Sequence, residues 1–241
     1  MSHIVPSWKV ADNVCAISST RKGGVSNAPF HSLNLGMHVG DNADHVVQNR
    51  EHLAQSSRMP NQPIWLNQTH SNKVAVVDKP TNVVIDADAL FTKIPNVVLS
   101  AMTADCLPIL LADTQGQAVA AVHAGWKGLA NGIVENTLAL FESSVHAWIG
   151  PAIGPKHFEV GHDVYQAFCD SMPQASVAFN ALSKEGKWLA DLALIAELRM
   201  RQAGVMTITQ SHRCTYSESD NFFSYRRENI TGRMASFIWR T

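Results

Sequence analysis

AAVHAGWKG, residues 120–128, sets a histidine at the end of an apolar run and follows it with a glycine-punctuated segment. The longer stretch AVAAVHAG (118–125) predicts a buried strand, because small and β-branched residues fill strand length without polar alternation. His123 then stands where the strand runs out, and AGWKG reads as a flexible, positively charged loop. A buried imidazole needs partners, and they must come from distant segments.

The neighbouring stretches decide the fold class. NVVLSAMTADCLPILLAD (96–113) holds two short apolar runs, while PIWLNQTH (63–70) and KVAVVDKP (73–80) have apolar content at strand length. VCAISST (14–20), VHAWIGPAIGP (145–155), MTITQSHRCTY (206–216) and MASFIWRT (234–241) predict further strands. Helical patterns lie between them: DHVVQNREHLAQSSR (44–58) with Asp44 as cap, LANGIVENTLALFESS (129–144), and HDVYQAFCDSM (162–172). LADLALIAELRMRQAGV (189–205) is a fourth, ending at Gly204. Strands and helices mix without strict βαβ alternation, which predicts an α+β fold of layered mixed β-sheets, a sandwich flanked by helices. With no linker, repeat or low-complexity tract, residues 1–241 read as a single domain.

Composition removes several function classes. The 46% hydrophobic fraction can fill a core, and a net charge of −1 with no long basic run argues against nucleic-acid binding. No apolar stretch approaches the roughly 20 residues needed to span a bilayer. Residues 1–10 lack the pattern of a signal peptide. Cys15, Cys106, Cys169 and Cys214 lie far apart, as reduced thiols of a cytoplasmic protein do.

Three residues share the context of His123, a possible metal ligand at or just past a strand end: His70, Cys106 and His123 itself. Cys106 and His123 are separated by a length suited to two adjacent strands with a turn at DTQGQ (113–117). Two imidazoles and a thiolate are a good Zn²⁺ set, and three protein ligands leave a fourth position open. Singly, Cys106 reads first as a small core residue and either histidine as a hydrogen-bonded structural one. The polar company of Gln68, Thr69, Thr103, Asp105 and Lys127 argues for a site.

NQTHSNKV, TADCLPILLAD, AVHAGWKGLANGIVENT, IGPAIGPKHFEVG, CTY and NFFSYRRENITGRMASFIW resemble the signature blocks of the YfiH family, bacterial relatives of the mammalian laccase-domain protein FAMIN. STRKGGVSNAPFHSLNLGMHVGDN (19–42) and Asn49-Arg50 are similar too, so the resemblance runs from about residue 19 to 239. Lys127 departs from it, standing where Arg is more usual. The resemblance implies a β-sandwich flanked by helices, with metal ligands at His70, Cys106 and His123, holding zinc or, in the same site, copper. It implies phosphorolysis of adenosine, inosine, guanosine and methylthioadenosine, with hydrolytic deamination of adenosine. Older family labels, polyphenol oxidase and cell-wall precursor editing, remain as alternatives.

Purine nucleosides and phosphate as substrates direct attention to further residues. Arg21, Lys22, Gly23 and Gly24 form a basic glycine loop suited to an anion. Lys127 precedes a predicted helix, where an anion is favoured. Phe222, Phe223 and Tyr225 offer stacking faces and Arg226 a guanidinium, though strand core and solvated surface are equally open readings. Asn34 could meet a sugar hydroxyl, or cap a turn. Asp105 is open as a proton carrier or as a turn cap before Pro108.

A laccase is disfavoured: its trinuclear centre and blue copper require many histidines in His-x-His pairs, and these 11 His form none. A metal-free cysteine hydrolase, with Cys106 as nucleophile and a histidine as base, is a separate class. A non-catalytic binding module is a third, in which replacing Cys106 changes nothing.

Overall fold

The computed structural model describes residues 3–241, so the first two residues of the expected domain lie outside the description. Two sheets lie face to face. One has four strands in the order His3–Ile4, Val14–Ser19, Met234–Arg240, Leu99–Thr103. The other has six, in the order Thr207–Gln210, Val145–Ile149, Leu107–Asp113, Val119–Ala124, Ala89–Thr92, Val74–Val76. Both parallel and antiparallel pairs occur in the larger sheet, as expected of a mixed α+β sandwich.

The central strands are buried at every position and mostly apolar, because both faces are covered. Leu110, Ala112, Val119 and Ala121 point toward the four-stranded sheet, meeting Val14, Ala16, Leu99 and Ala101. The alternate residues Ile109, Leu111, Ala120 and Val122 face helical residues Leu129, Ile133, Val134, Ile195 and Met200. On the outer face of the smaller sheet, Ile17, Phe237 and Trp239 pack with Leu33, Leu35 and Leu53. Period-two alternation thus sorts one run of sequence into two separate cores.

Several local expectations shift. Helix Ala43–Ser56 is capped by Asn42, not Asp44: the Asn42 side chain accepts from the amides of Asp44 and His45. The helix expected over 129–144 is two short ones, Trp126–Ala130 and Ile133–Leu138, divided where Gly132 takes a φ of 86°. The first begins immediately after Gly125, so AGWKG is a helix start rather than a flexible loop. Of the strand expected over 63–70, Leu66–Asn67 forms a two-residue strand and Ile64 a lone bridge to Leu99. Helix Leu192–Gln202 starts on Asp191, whose side chain accepts from Leu194 N, and ends at Gly204 with φ 90°.

Register places the site. Leu107 pairs with Ala124 and Pro108 with His123, so Cys106 lies one residue beyond the hairpin's paired end, beside His123. On the other flank Ala89 pairs with Val122, and the His123 amide donates to the Asp88 carbonyl at 2.8 Å. Three strand ends therefore bring Cys106, His123 and Asp88 to one edge.

Candidate metal centre

His70 reaches this edge from the loop between Asn67 and Val74, with a left-handed backbone at φ 61°. The ligand atoms of His70, Cys106 and His123 all lie within 4.8 Å of one another. His70 Nε2 is 3.5 Å from Cys106 Sγ, and the two imidazoles meet edge to face at 4.8 Å between centroids. Asp105, just before the cysteine, has φ 91°, so the chain turns there and strand alternation does not fix where Cys106 points. It is the one such cluster of three or more His, Cys or acidic residues among the described residues.

Asp88 fixes both histidines. It is fully buried, and its Oδ1 lies 2.8 Å from His123 Nδ1 while also accepting the His70 amide at 3.0 Å. Its Oδ2 accepts from Thr69 N at 3.2 Å, Ser71 N at 2.7 Å and Ser71 Oγ at 2.6 Å. Burial would raise this carboxyl, but the His123 and Ser71 hydrogen bonds outweigh it and hold it far below the usual carboxylate range. An ionised Asp88 keeps the proton on His123 Nδ1, so Nε2 is the nitrogen turned to the cluster.

Charge within the cluster is coupled. Burial opposes a Cys106 thiolate, yet the His123 charge and hydrogen bonds from both histidines bring the thiol well below its ordinary value. Burial also opposes the His123 imidazolium, and the Cys106 charge with the Asp88 hydrogen bond raises it. In chemical terms the site holds a sulfur ready to ionise between two imidazoles, a donor set that fits zinc or copper.

The glycines of AGWKG are required by close approach. A Cβ on Gly125 would fall 2.5 Å from His70 Cδ2 and 3.2 Å from Cys106 Sγ; one on Gly128 would fall 2.8 Å from the Ser71 carbonyl. Helix Trp126–Ala130 therefore presses its first turn directly against the cluster.

The cluster opens into a cavity of about 460 Å³ whose wall includes His38, Gln68, Tyr225 and Arg233. Gln68 is locked there by pairing with the Met102 backbone, donating to its carbonyl at 2.8 Å and accepting from its amide at 2.9 Å. A second cavity of about 200 Å³, lined by Trp126, Ile153, Phe158 and Leu192 with Arg226, touches Cys106 from the other side.

The remaining residues singled out from the sequence are placed less centrally. Arg226 lines the smaller cavity, and its Nη1 donates to the Glu159 carbonyl. Lys127 is exposed, with its ammonium 5.6 Å from the Trp126 ring centre, and lines neither cavity. Arg21 is tied to Glu228 at 2.9 Å and to the His31 and Ser219 carbonyls, away from the cluster. Asn34 is fully buried and bonds Gly36, Asp41 and Arg233 N, so it closes a loop. Phe222 is fully buried in a small core with Ala104, Phe223 and Met234, and offers no face to a ligand. Asp105 is a clasp: one carboxylate oxygen accepts from Thr215 Oγ1 at 2.6 Å and the other from Arg226 N at 2.7 Å. Composition alone could not find Asp88, His38 or Arg233; the one available signal for Asp88 was an acid set directly before the apolar run ALFT (89–92).

Among the described residues no helix is long and apolar enough to cross a membrane. The family model described as multi-copper polyphenol oxidoreductase laccase matches residues 15–241. Curated relatives include the purine nucleoside phosphorylase YfiH of Escherichia coli K12, 47% identical over 98% of both chains. The purine nucleoside phosphorylase of Haemophilus influenzae is 46% identical over 99% of both. Among solved structures, Neisseria meningitidis protein NMB0706 is 44% identical with a TM-score of 0.94, covering 100% of this chain and 99% of its own. The YfiH protein of Bacillus licheniformis is 33% identical with a TM-score of 0.88, covering 95% of this chain and 93% of its own. On the strength of this full-length likeness, the chain belongs to the YfiH family, whose model bears the laccase description.

Proposed function

We propose that residues 1–241 act as one catalytic domain, a zinc-dependent purine nucleoside enzyme. Its main reaction is phosphorolysis of adenosine, inosine, guanosine and methylthioadenosine, with hydrolytic deamination of adenosine beside it. The name of the E. coli and H. influenzae relatives supports the phosphorolytic part. The observation that carries the reading is the convergence of His70, Cys106 and His123 on an open cavity, with Asp88 behind both histidines. That is the arrangement of a metal site with an oriented outer layer.

His70, Cys106 and His123 would hold the ion, and a bound zinc would supply a Lewis acid. Around it the chain's own groups bind and orient. Asp88 retains the His123 Nδ1 proton, Gln68 and Tyr225 wall the cavity, and Arg233 sets a positive charge there. The same donors would accept copper, but a single cluster cannot assemble a trinuclear centre and a separate blue-copper site.

One observation favours a second reading. The depressed Cys106 thiol beside two imidazoles is also the arrangement of a cysteine amidohydrolase, as cell-wall precursor editing would need. Incubation of the protein with adenosine, with and without phosphate, separates the two. Phosphate-dependent adenine and ribose-1-phosphate, together with phosphate-independent inosine, are expected. Absence of all three products, with amide hydrolysis that survives metal removal, would replace the nucleoside reading by the cysteine one.

A further inference from the structure

The two cavities have unlike walls and share three residues, Ala104, Cys106 and Tyr225. The smaller is walled mainly by the Trp126 and Phe158 rings and the aliphatic Ile153 and Leu192, with Asp105 and Arg226 beside them and the Arg226 guanidinium 5.5 Å from the Phe158 ring centre. The larger holds both cluster histidines and the Arg233 guanidinium. A nucleoside has the same division, a planar apolar base joined to a polar sugar, and the joint is the bond to be broken.

Arg233 faces this space, its guanidinium 6.0 Å from the Tyr225 ring centre. Its Nη1 donates to the Thr231 and Gly232 carbonyls at 3.1 and 3.0 Å, and no carboxylate forms an ion pair with it among the described residues. Arg50, stacked 3.7 Å over the Trp65 ring and bonded to the Leu35 carbonyl, lacks a carboxylate too. Burial, and then the charges of Arg233 and Arg50, lower the His38 imidazole below its ordinary value. Two part-buried guanidiniums next to a histidine, with no carboxylate in ion-pair contact and the more distant charges of Cys106 and Asp105 acting on Arg233, are an environment suited to an oxyanion.

We propose that the two cavities are halves of one substrate cleft, with the purine base between Trp126 and Phe158, phosphate on Arg233 and His38, and the glycosidic carbon beside Cys106 and Tyr225. This deepens the nucleoside reading above and rests on it. In the reaction a phosphate oxygen bonds to ribose C1′ as the C1′–N9 bond breaks. The bonding pair stays on the base, which takes up the proton lost by the phosphate, giving purine and ribose-1-phosphate. The assignment replaces Arg21 and Lys127 as anion ligands by a residue on the wall of the cluster's own cavity. It gives Trp126 and Phe158 the stacking role that buried Phe222 cannot perform.

Steady-state phosphorolysis of inosine by the metal-loaded full chain tests it, with nucleoside and phosphate varied in turn. Arg233→Met is expected to raise the KM for phosphate by about tenfold or more, the worth of a charge-assisted hydrogen bond, and to leave the KM for inosine within about twofold. Arg233→Lys should recover part of the loss. Trp126→Leu should do the converse, raising the KM for inosine alone. Adenine should quench the fluorescence of the wild type and not of a Trp126→Phe variant, a readout that does not need turnover. If both variants shift both constants alike, or the quench persists without Trp126, the cleft is not divided in this way and only this inference falls. A wild type that phosphorolyses no purine nucleoside removes the nucleoside reading and this inference with it.

Discussion

Asp88 Oδ1 lies 2.8 Å from His123 Nδ1, and the same carboxylate accepts the backbone amides of residues 69 to 71. One buried side chain thus sets both the tautomer of His123 and the position of the loop that carries His70. Asp88→Asn removes the charge while keeping the shape. It is expected to weaken zinc binding by about 10–100-fold in a chelator competition, with the fold retained. Unchanged affinity would make Asp88 a structural acid only.

The Gly125 backbone approaches the cluster closely. In Gly125→Ala the new methyl would meet His70 Cδ2 at 2.5 Å, and the exposed His70 side chain is free to swing aside. Metal content and phosphorolysis should both fall sharply, with far-UV circular dichroism and thermal midpoint close to wild type. Full metal content in this variant would show that His70 is not held where the structure places it.

Cys106 differs from Cys15 and Cys169. The imidazoles outweigh burial and depress it, whereas burial raises Cys15 and Cys169. A depressed value means thiolate at neutral pH, so in chelator-stripped protein iodoacetamide should label Cys106 well ahead of those two. Zinc should protect it. Equal labelling of Cys106 and Cys15, or no protection by zinc, would contradict the coupling.

Asp105 has both carboxylate oxygens engaged, by Thr215 and by the Arg226 amide, at a left-handed position that asparagine tolerates. Asp105→Asn should therefore keep adenosine deamination within a few-fold of wild type. A loss in the range of about 10²–10⁴, the usual contribution of a general acid–base, would restore it as a proton carrier.

Much of this site was legible because strand ends can be read from sequence. His70, Cys106 and His123 each follow or precede an apolar run, and the hairpin register brings two of them together. Asp88 was not legible, because its pairing with His123 depends on lateral strand order that no local pattern encodes. Arg21, Asn34 and Phe222 had suitable chemistry, but side-chain burial depends on the whole packing: the Phe222 ring turned into a core and Arg21 onto Glu228. The layered α+β class followed from mixed periodicities, while Gly132 broke one expected helix by adopting the left-handed region.

Glu228 ties the segment around Arg227 and Thr231 to Arg21. Its carboxylate meets Arg21 Nη1 at 2.9 Å, Arg227 Nη2 at 3.0 Å and Thr231 Oγ1. Burial would raise it, but the Thr231, Arg21 and Arg227 hydrogen bonds lower it overall. Its stabilising contribution is therefore present above the ordinary carboxylate value and lost as pH falls through the lower folded one. Glu228→Gln should cost about 1–3 kcal/mol in urea unfolding at neutral pH, and the gap to wild type should narrow in acid. A gap that widens in acid would reverse the sign.

The most direct measurement is elemental analysis of protein purified without added metal, paired with inosine phosphorolysis, for wild type and Cys106→Ala. Stoichiometric zinc and turnover in the first, with both lost in a correctly folded second, is the predicted result. Wild-type turnover undiminished with no bound metal, or a Cys106→Ala variant that still phosphorolyses inosine, would contradict a cation held by two imidazoles and this sulfur.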